Sequence, residues 1–340
     1  MVPSPRIEVP FPGPSENPSV GATAPSHSRT AGPVGPHPLY GGVVAHREVG
    51  RVGRAVRSLT RQELPPGHFW DQIWVVVSGP EDGTADEVRS IEGEDPRVRL
   101  VWEPERRGKA SAIMEIFRRA PKGNLILLNA DAEAEPDAIR ALLETAREAS
   151  PPFAVMGHPV PLRGGVGAYG EALDLLWGLH HQVHLHLLSQ GEGTHLSDEL
   201  LLLPEGTRPE LPAGTINDGA YLGAWIHRHA GRLLYSPGAL VRVRVPRSLG
   251  GYLRQRSRIK RGHRQVKERT GIAPTTLPGY FWKDPRAMLA AIQQSLRGVP
   301  HPLRSLALLV VAEVAAQCVE IIGMDRDRRR PGVWTRVEEV

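Results

Sequence analysis

The stretch LILLNAD, residues 125–131, decides the fold expected for this chain. Four consecutive apolar residues are typical of a buried strand, and the Asn-Ala-Asp turn ends that strand with a carboxylate. In open α/β sheets, ligands bind at the carboxyl ends of the strands. The stretch therefore puts Asn129, Ala130 and Asp131 where a divalent cation could be held against a nucleotide diphosphate.

Strand and helix patterns alternate on both sides of this stretch. Apolar runs predict strands at residues 42–45, 73–77, 98–101, 125–129, 200–203, 232–235 and 240–245. Helical patterns are predicted at residues 49–64, 84–91, 110–120, 136–148, 171–188, 218–228 and 248–270. This alternation predicts an α/β fold with a mixed, mostly parallel sheet flanked by helices.

Composition divides the chain into three parts. Residues 1–41 hold ten of the 32 prolines and are expected to form a disordered tail, because such a composition cannot build a packed core. Residues 42–270 are predicted to form the nucleotide-binding domain. Residues 271–340 are predicted to form a helical appendage that could associate with a membrane.

The C-terminal helix, predicted at residues 305–324, is apolar but carries a polar stripe. Glu313, Gln317 and Glu320 lie on one side of it, which indicates an amphipathic helix and not a membrane span. Two interpretations remain open. The helix packs on the core, or it lies on a membrane with the basic residues after it on anionic headgroups.

The net charge of +5 is concentrated in one patch. Residues 241–270 contain eleven Lys or Arg and one acid, a net of +10, so the rest of the chain sums to −5. Such a patch attracts a diphosphate or an anionic membrane. No nucleic-acid partner is expected, because base stacking requires aromatic side chains among the basic ones.

The cysteine content and the N-terminal residues indicate the cellular compartment of the protein. The single Cys318 excludes an intrachain disulfide and a cysteine zinc cluster, as suits a reducing compartment. No apolar segment typical of a secretory signal occurs in residues 1–38. We therefore expect a cytoplasmic protein, with peripheral contact to the inner face of the cell membrane as an option.

Motifs in a fixed order carry a family resemblance. They are GKASAI at residues 108–113, NAD at 129–131, ND at 217–218 and QRSRIKRGH at 255–263. Their order and spacing resemble those of glycosyltransferase family 2, inverting nucleotide-sugar enzymes with the GT-A fold. The resemblance implies transfer from a nucleoside-diphosphate sugar to a hydroxyl acceptor, which is a lipid, a polysaccharide or a small molecule. It also implies a divalent cation, Mg²⁺ or Mn²⁺.

The resemblance also implies roles for individual residues. The residues that would bind the donor nucleotide are Ala45, Glu48, Ser78, Gly79, Lys109, Asn129 and Ala130. Those that would bind the diphosphate are Gln255, Arg258 and Arg261. The metal ligands would be Asp131 and His263, and the catalytic base would be Asp218, with Asp198 or Glu199 as substitutes.

The chain departs from the family pattern at three acids. Val77 and Ser78 replace the two leading acids of the second-strand motif, and Asn129 replaces the first acid of Asp-x-Asp. The chemistry is still available, because a cation and Arg donors neutralise a leaving diphosphate, and inversion needs one carboxylate base. Structural roles compete with these assignments. They are an N-cap for Asp218, a solvated turn acid for Asp131 and a surface lysine for Lys109.

The sequence leaves three other interpretations open. His180 and His184 have the helical spacing of metal ligands, but no acid accompanies them, so acceptor contact or core packing is favoured. A nucleotidyltransferase would carry a Gly-rich, basic loop after the first strand, where only Gly50 and Gly53 occur. A non-catalytic protein that binds a nucleotide sugar or a membrane also fits the lost acids.

Overall fold

A mixed sheet of eight strands organises the residues that the structure, a computed structural model, describes: 37–162, 167–191 and 193–322. The strands are β1 (His37–Ala45), β2 (His68–Ser78), β3 (Val98–Glu103), β4 (Asn124–Asn129), β5 (Ala132–Ala134), β6 (Phe153–Pro161), β7 (Leu200–Leu203) and β8 (Arg232–Val243). Their order across the sheet is β3-β2-β1-β4-β7-β6-β8-β5. The predicted sheet, with its flanking helices, is confirmed.

Ten helices accompany the sheet within the described residues. They are α1 (Val52–Thr60), α2 (Thr84–Glu94), α3 (Lys109–Arg119), α4 (Ala138–Ala146), α5 (Ala168–Ser189), α6 (Asp218–Arg228), α7 (Leu249–Thr270), α8 (Leu277–Lys283), α9 (Pro285–Leu296) and α10 (Pro302–Ile322). The short α8 and α9 have no counterpart in the sequence prediction. Each begins with a side-chain N-cap and a proline in the first turn, which are start signals for a helix.

The parallel strands β1 to β4 position the site. β1 pairs with β2 and β4 in parallel, and β2 pairs with β3 in parallel. The register places Ala45 beside Val77 and Val44 beside Asn129. The carboxyl ends of these strands therefore meet at one edge of the sheet, where ligands bind in open α/β folds.

The first strand is longer than its sequence indicates. It begins at His37 and not at Gly42, so five residues of the predicted tail belong to the sheet. Pro38 is tolerated because it lies before the segment that pairs with β4, which begins at Leu39. Residues 1–36, the rest of the predicted tail, lie outside the described part of the chain.

Two of the hydrophobic cores within the described residues join helices to the sheet and to one another. One joins the sheet to α1, α2 and α4. The other joins α5 and α7 to α8, α9 and α10, with Tyr252 and Tyr280 among its most deeply buried side chains. The C-terminal helices therefore share their core with the preceding domain, and the boundary predicted at residue 270 does not separate two packed bodies.

The C-terminal helix α10 buries apolar residues such as Leu309 and Ala316 but leaves other apolar residues exposed. Its polar residue Glu313 faces α7, whereas Leu303, Val311 and Val314 are exposed. Within the described residues, α10 is the one helix long and apolar enough to match a membrane span, and 22% of that window is buried. Length and composition alone are weak evidence for spanning.

Candidate active site

A cavity of about 500 Å³ opens at the carboxyl ends of β1, β2 and β4 and is closed on its far side by α5, α7 and α10. Most of the predicted site residues line it: Ala45, Glu48, Ser78, Lys109, Asn129, Ala130, Asp131, Asp218, Gln255, Arg258 and His263. Two do not. Gly79 lies behind His46, so close that a Cβ on Gly79 would come within 2.9 Å of the imidazole, and Arg261 lies outside the lining.

Lys109 stands at the centre of the charged group in this cavity. It is the first residue of α3, where the positive φ of Gly108 allows the chain to turn into the helix. Its Nζ lies 2.5 Å from Asp198 Oδ2 and 3.1 Å from Asp218 Oδ2. Burial lowers the pKa of Lys109, but the two carboxylates outweigh burial and raise it. Lys109 is therefore a largely covered cation held by two carboxylates, with 20% of its side chain exposed, and not a surface lysine.

Asp218 is the first residue of α6 and is not its N-cap. Asn217 is the cap, because its side chain accepts a hydrogen bond of 2.9 Å from the backbone N–H of Ala220. Asp218 is only 5% exposed. Burial raises its pKa to about 6, although Lys109 acts in the opposite direction. The capping interpretation of Asp218 is therefore wrong, and its carboxylate is available to the cavity.

Two further carboxylates reach the cavity from the loop before β7. Burial raises the pKa of Asp198, but Lys109 outweighs it and holds this pKa below the usual value. Burial raises the pKa of Glu199 to about 7, and Ser197 Oγ donates a 2.6 Å hydrogen bond to its carboxylate. The loop packs tightly on the α6 turn, since a Cβ on Gly219 would lie 2.8 Å from Asp198 Cβ. Asp198 and Glu199 thus join Asp218 in one acidic group.

Asp131 follows β4 and faces the same group. Burial raises its pKa, whereas Lys109 and Arg51 lower it, so it is unlike a solvated turn acid. No group of three His, Cys, Asp or Glu side chains among the described residues is close enough to hold a metal ion. Mg²⁺ in phosphate sites is held by one or two carboxylates together with substrate phosphates and water. Asp131 alone therefore fits a cation that a diphosphate also binds.

The basic helix α7 supplies positive charge to the cavity. Burial lowers the pKa of Arg258, while Asp198, Asp218 and Asp131 raise it, so the guanidinium interacts with all three carboxylates. Gln255 lines the cavity one turn earlier on α7. A guanidinium in this position can donate to a diphosphate.

Four histidines form a wall of the cavity between α5 and α7: His180, His184, His195 and His263. Ring centroids of His184 and His195 are 5.8 Å apart, and those of His195 and His263 are 5.6 Å apart. Burial lowers the pKa of His184 and of His263 to about 3 and that of His195 to about 4. The wall is therefore neutral at physiological pH.

Ring nitrogens of this wall are open to a ligand. His180 Nε2, His195 Nδ1 and His263 Nε2 are buried and have no hydrogen-bond partner among the described residues. Buried polar atoms without a partner are costly, and a bound molecule would satisfy them. The preference for acceptor contact over a metal site at His180 and His184 stays a prediction.

Val77 and Ser78, at the end of β2, stand where the family pattern has two acids. Val77 is buried in the core, and Ser78 Oγ donates a 3.1 Å hydrogen bond to Glu103 Oε2. Arg107 pairs with the same carboxylate at 2.9 Å. Glu103, the last residue of β3, thus lies beside Ser78, where the family pattern has an acid. Its position at the end of an apolar strand is the sequence signal that indicates it.

Comparison with known proteins agrees with this geometry. Residues 42–169 match the family model described as Glycosyl transferase family 2. A dolichol-phosphate mannosyltransferase of Mycosarcoma maydis is 27% identical over 135 residues, which are 40% of this chain and 42% of the relative. The match thus spans less than half the length of that curated relative.

A solved structure resembles the whole fold. It is a mannosyltransferase from Pyrobaculum calidifontis in complex with GDP-Man and Mn²⁺, with a TM-score of 0.59 and 18% identity. The likeness covers 85% of this chain and 88% of that chain. At this identity it establishes the GT-A fold, as the motifs predicted.

Proposed function

We propose that this chain, whose residues 42–169 match the family model Glycosyl transferase family 2, moves a sugar from a nucleoside-diphosphate sugar to a hydroxyl acceptor with inversion. The observation that carries the proposal is the group of Lys109, Asp198 and Asp218 in a cavity that also holds Asp131 and Arg258. Such a group combines one candidate base with the charges that a leaving diphosphate requires.

The donor side of the proposal rests on Asp131 and α7. Asp131 would bind a divalent cation, Mg²⁺ or Mn²⁺, which neutralises the departing diphosphate. Arg258 and Gln255 would donate to the phosphate oxygens, with Arg261 adding positive charge. His263 lines the cavity as a neutral imidazole and stays a candidate second ligand.

The base side rests on Asp218. The acceptor oxygen forms a bond to the anomeric carbon, the bond from that carbon to the diphosphate oxygen breaks, and Asp218 takes the hydroxyl proton. A pKa of about 6 leaves Asp218 ionised at neutral pH yet more basic than an ordinary aspartate. Lys109 holds the carboxylate in place between the two halves of the cavity.

The far wall of the cavity favours one class of acceptor. Besides its histidines, the part of this wall that α5 contributes is apolar, with side chains of Leu173, Leu176, Trp177, Val183 and Leu187. An acceptor with an apolar part, such as a lipid, fits this wall better than a polysaccharide does.

The test is turnover against a panel of nucleotide sugars with Mn²⁺, beginning with GDP-mannose because the curated relative is a mannosyltransferase. The proposal expects release of a nucleoside diphosphate, and its loss in Asp218→Asn with donor binding intact. Release of pyrophosphate would instead indicate a nucleotidyltransferase. Donor binding without turnover across lipid, glycan and small acceptors would indicate a non-catalytic protein.

A further inference from the structure

The loop before β7, which carries Asp198 into the cavity, is held on two sides. Towards α6 it packs on two glycines one turn apart. A Cβ on Gly219 would lie 2.8 Å from Asp198 Cβ, and a Cβ on Gly223 would lie 2.7 Å from the Thr194 carbonyl oxygen. On the other side, Thr194 and Thr275 each donate a backbone N–H to the other's hydroxyl oxygen, at 3.3 Å and 3.0 Å. The position of the Asp198 backbone is therefore set by packing and hydrogen bonds that do not involve its carboxylate.

The Asp198 carboxylate shares one cation with Asp218. Lys109 Nζ lies 2.5 Å from Asp198 Oδ2 but 3.1 Å from Asp218 Oδ2. Charge-assisted hydrogen bonds strengthen as they shorten, so Asp198 takes the larger share of the ammonium group. The other cation that faces both carboxylates is Arg258 of α7, which also interacts with Asp131. Asp218 is thus left less strongly paired than it would be beside Lys109 alone.

The two carboxyl groups are also within hydrogen-bond reach of each other. A protonated Asp218 donates to Asp198, and this bond acts with Lys109 to hold the pKa of Asp198 down against its burial. Burial is the main cause that raises the pKa of Asp218, and the negative charge of Asp198 adds to it. Neighbouring carboxylates resist ionising together. The pair therefore holds its proton on Asp218 and its negative charge on Asp198.

We propose that Asp198 is a positioning residue for the catalytic base, because it draws Lys109 towards itself and accepts a hydrogen bond from Asp218 once Asp218 has taken the acceptor proton. The inference rests on the proposed function, in which Asp218 is that base. The acceptor hydroxyl gives its proton to Asp218, the nucleoside diphosphate leaves with the electron pair of the broken bond, and Asp198 stays an anion throughout. Proton transfer then leaves a neutral acid beside a neutral Lys109–Asp198 pair, which a water-poor cavity favours.

Two simpler roles for Asp198 agree less well with these contacts. A purely structural ion pair would serve to fasten the loop, but Gly219, Gly223 and the Thr194–Thr275 pair already hold it. A role as the base itself would require a basic carboxylate, and the close contact with Lys109 makes Asp198 a weak one. Without Asp198, Lys109 would pair with Asp218 alone and weaken it as a base.

The experiment compares Asp198→Asn with wild type by pH profile. The pH below which kcat/KM falls should move about one unit or more towards acid, because Asp218 loses an anionic neighbour and gains Lys109. At neutral pH, kcat should fall by about three- to tenfold, since a weaker base accepts the proton less readily, while the KM for the donor stays unchanged. Asp198→Ala should shift the profile alike, which excludes an effect of the new amide. Asp137→Asn, at an exposed acid outside the cavity lining, is the control and should match wild type.

A second measurement does not require turnover. The ¹³C carboxyl signal of Asp218, in protein labelled at aspartate and kept in EDTA, should titrate near pH 6 in wild type and at lower pH in Asp198→Asn. Asp218→Asn assigns the signal. If this shift occurs but wild type releases no nucleoside diphosphate from any donor, the proposed reaction is wrong and the coupling of the two carboxylates stands.

Three outcomes would overturn the positioning role. A uniform loss of turnover at every pH, with the acid limb of the profile unmoved, would make Asp198 a structural ion pair. A loss of about 10² or more at every pH would make Asp198 the base itself. An Asp218 titration that is the same in wild type, Asp198→Asn and Asp198→Ala would show that the two carboxylates are independent. Thermal melts of the variants check that each is folded when it is measured.

Discussion

At the scale of single residues, Asp218 carries the clearest prediction. Asp218→Asn should lower turnover by about 10² to 10⁴, because the variant cannot accept the acceptor proton. Folding should survive, since Asn217 caps α6 and Lys109 keeps its contact with Asp198. Initial rates and donor affinity by calorimetry check this. If Asp198→Asn abolished turnover while Asp218→Asn kept most of it, the base would be Asp198.

The pH dependence of turnover distinguishes the same two carboxylates. Because burial raises the pKa of Asp218 to about 6, kcat/KM should fall about tenfold per unit as the pH drops below 6. The pKa of Asp198 lies below its usual value, so a base there would keep activity flat down to more acidic pH. Measurements of kcat/KM from pH 4.5 to 8 at saturating Mn²⁺ distinguish the two carboxylates.

Asp131 is the residue on which cation binding is predicted to depend. Asp131→Ala should abolish the increase in nucleoside-diphosphate affinity that Mn²⁺ gives, because a single carboxylate supplies the protein part of the site. Glu133→Ala is the matched control. Glu133 lies two residues further along the chain, on β5, and its carboxylate pairs with Arg54 of α1. Titration calorimetry with and without Mn²⁺ measures both. Equal Mn²⁺ enhancement in the Asp131 variant would contradict the assignment.

The residues of the site were predictable to different degrees. Asn129, Asp131 and Lys109 follow directly from strand ends and a helix start, which are local signals. Asp198 and Glu199 lie in a loop without periodicity, and their approach to Lys109 depends on how that loop packs against Gly219. The pKa of each carboxylate follows from burial and from the charge of Lys109, neither of which a local pattern contains.

At the scale of elements, Glu313 fixes α10 to α7. Glu313→Gln should lower the free energy of unfolding by about 1–3 kcal/mol, because it leaves Arg256 without its carboxylate in a partly buried place. Glu144→Gln, on the exposed side of α4, is the control and should change stability by less than about 0.5 kcal/mol. Urea unfolding measures both, and equal losses would show that Glu313 does not hold the helix.

Two elements were predicted with both bounds correct, although both are buried on nearly all sides. α6 and β7 agree in both bounds with the sequence pattern, and β2 and α2 extend it by a few residues. β8 is one strand where two were predicted, at residues 232–235 and 240–245, because it continues along β6 through an irregular register. The contact of Glu313 with α7 could not be predicted, because periodicity gives the faces of a helix but not the neighbour that each face meets.

At the scale of the whole molecule, the mixed sheet and the position of the cavity followed from strand-helix alternation. The joining of the C-terminal helices to α5 and α7 did not, because composition cannot distinguish an appendage from a second core. That core surrounds the histidine wall. The acid stability of the entire fold therefore depends on residues far apart in sequence.

We predict that the protein loses stability below pH 6.5. His181, His184, His195 and His263 have pKa values of about 3 to 4 when folded, against about 6.5 when unfolded, because burial disfavours their charged forms. Near pH 5 the unfolded chain thus binds about four more protons at these residues. Asp218 and Glu199, with raised pKa values, act oppositely and offset about two of them.

His180 adds to this difference, because burial also lowers its pKa well below the usual value. The free energy of unfolding should therefore fall by more than about 1.4 kcal/mol for each pH unit by which the pH is lowered around pH 5, and the effect should vanish above pH 7. Urea midpoints in EDTA between pH 4.5 and 7.5 measure the slope. His184→Asn removes one buried imidazole and should reduce the slope by about 1.4 kcal/mol per pH unit, whereas His229→Asn, on an exposed histidine beside Trp225, should leave it unchanged. Stability independent of pH over this range would mean that the histidine wall is hydrated and titrates normally.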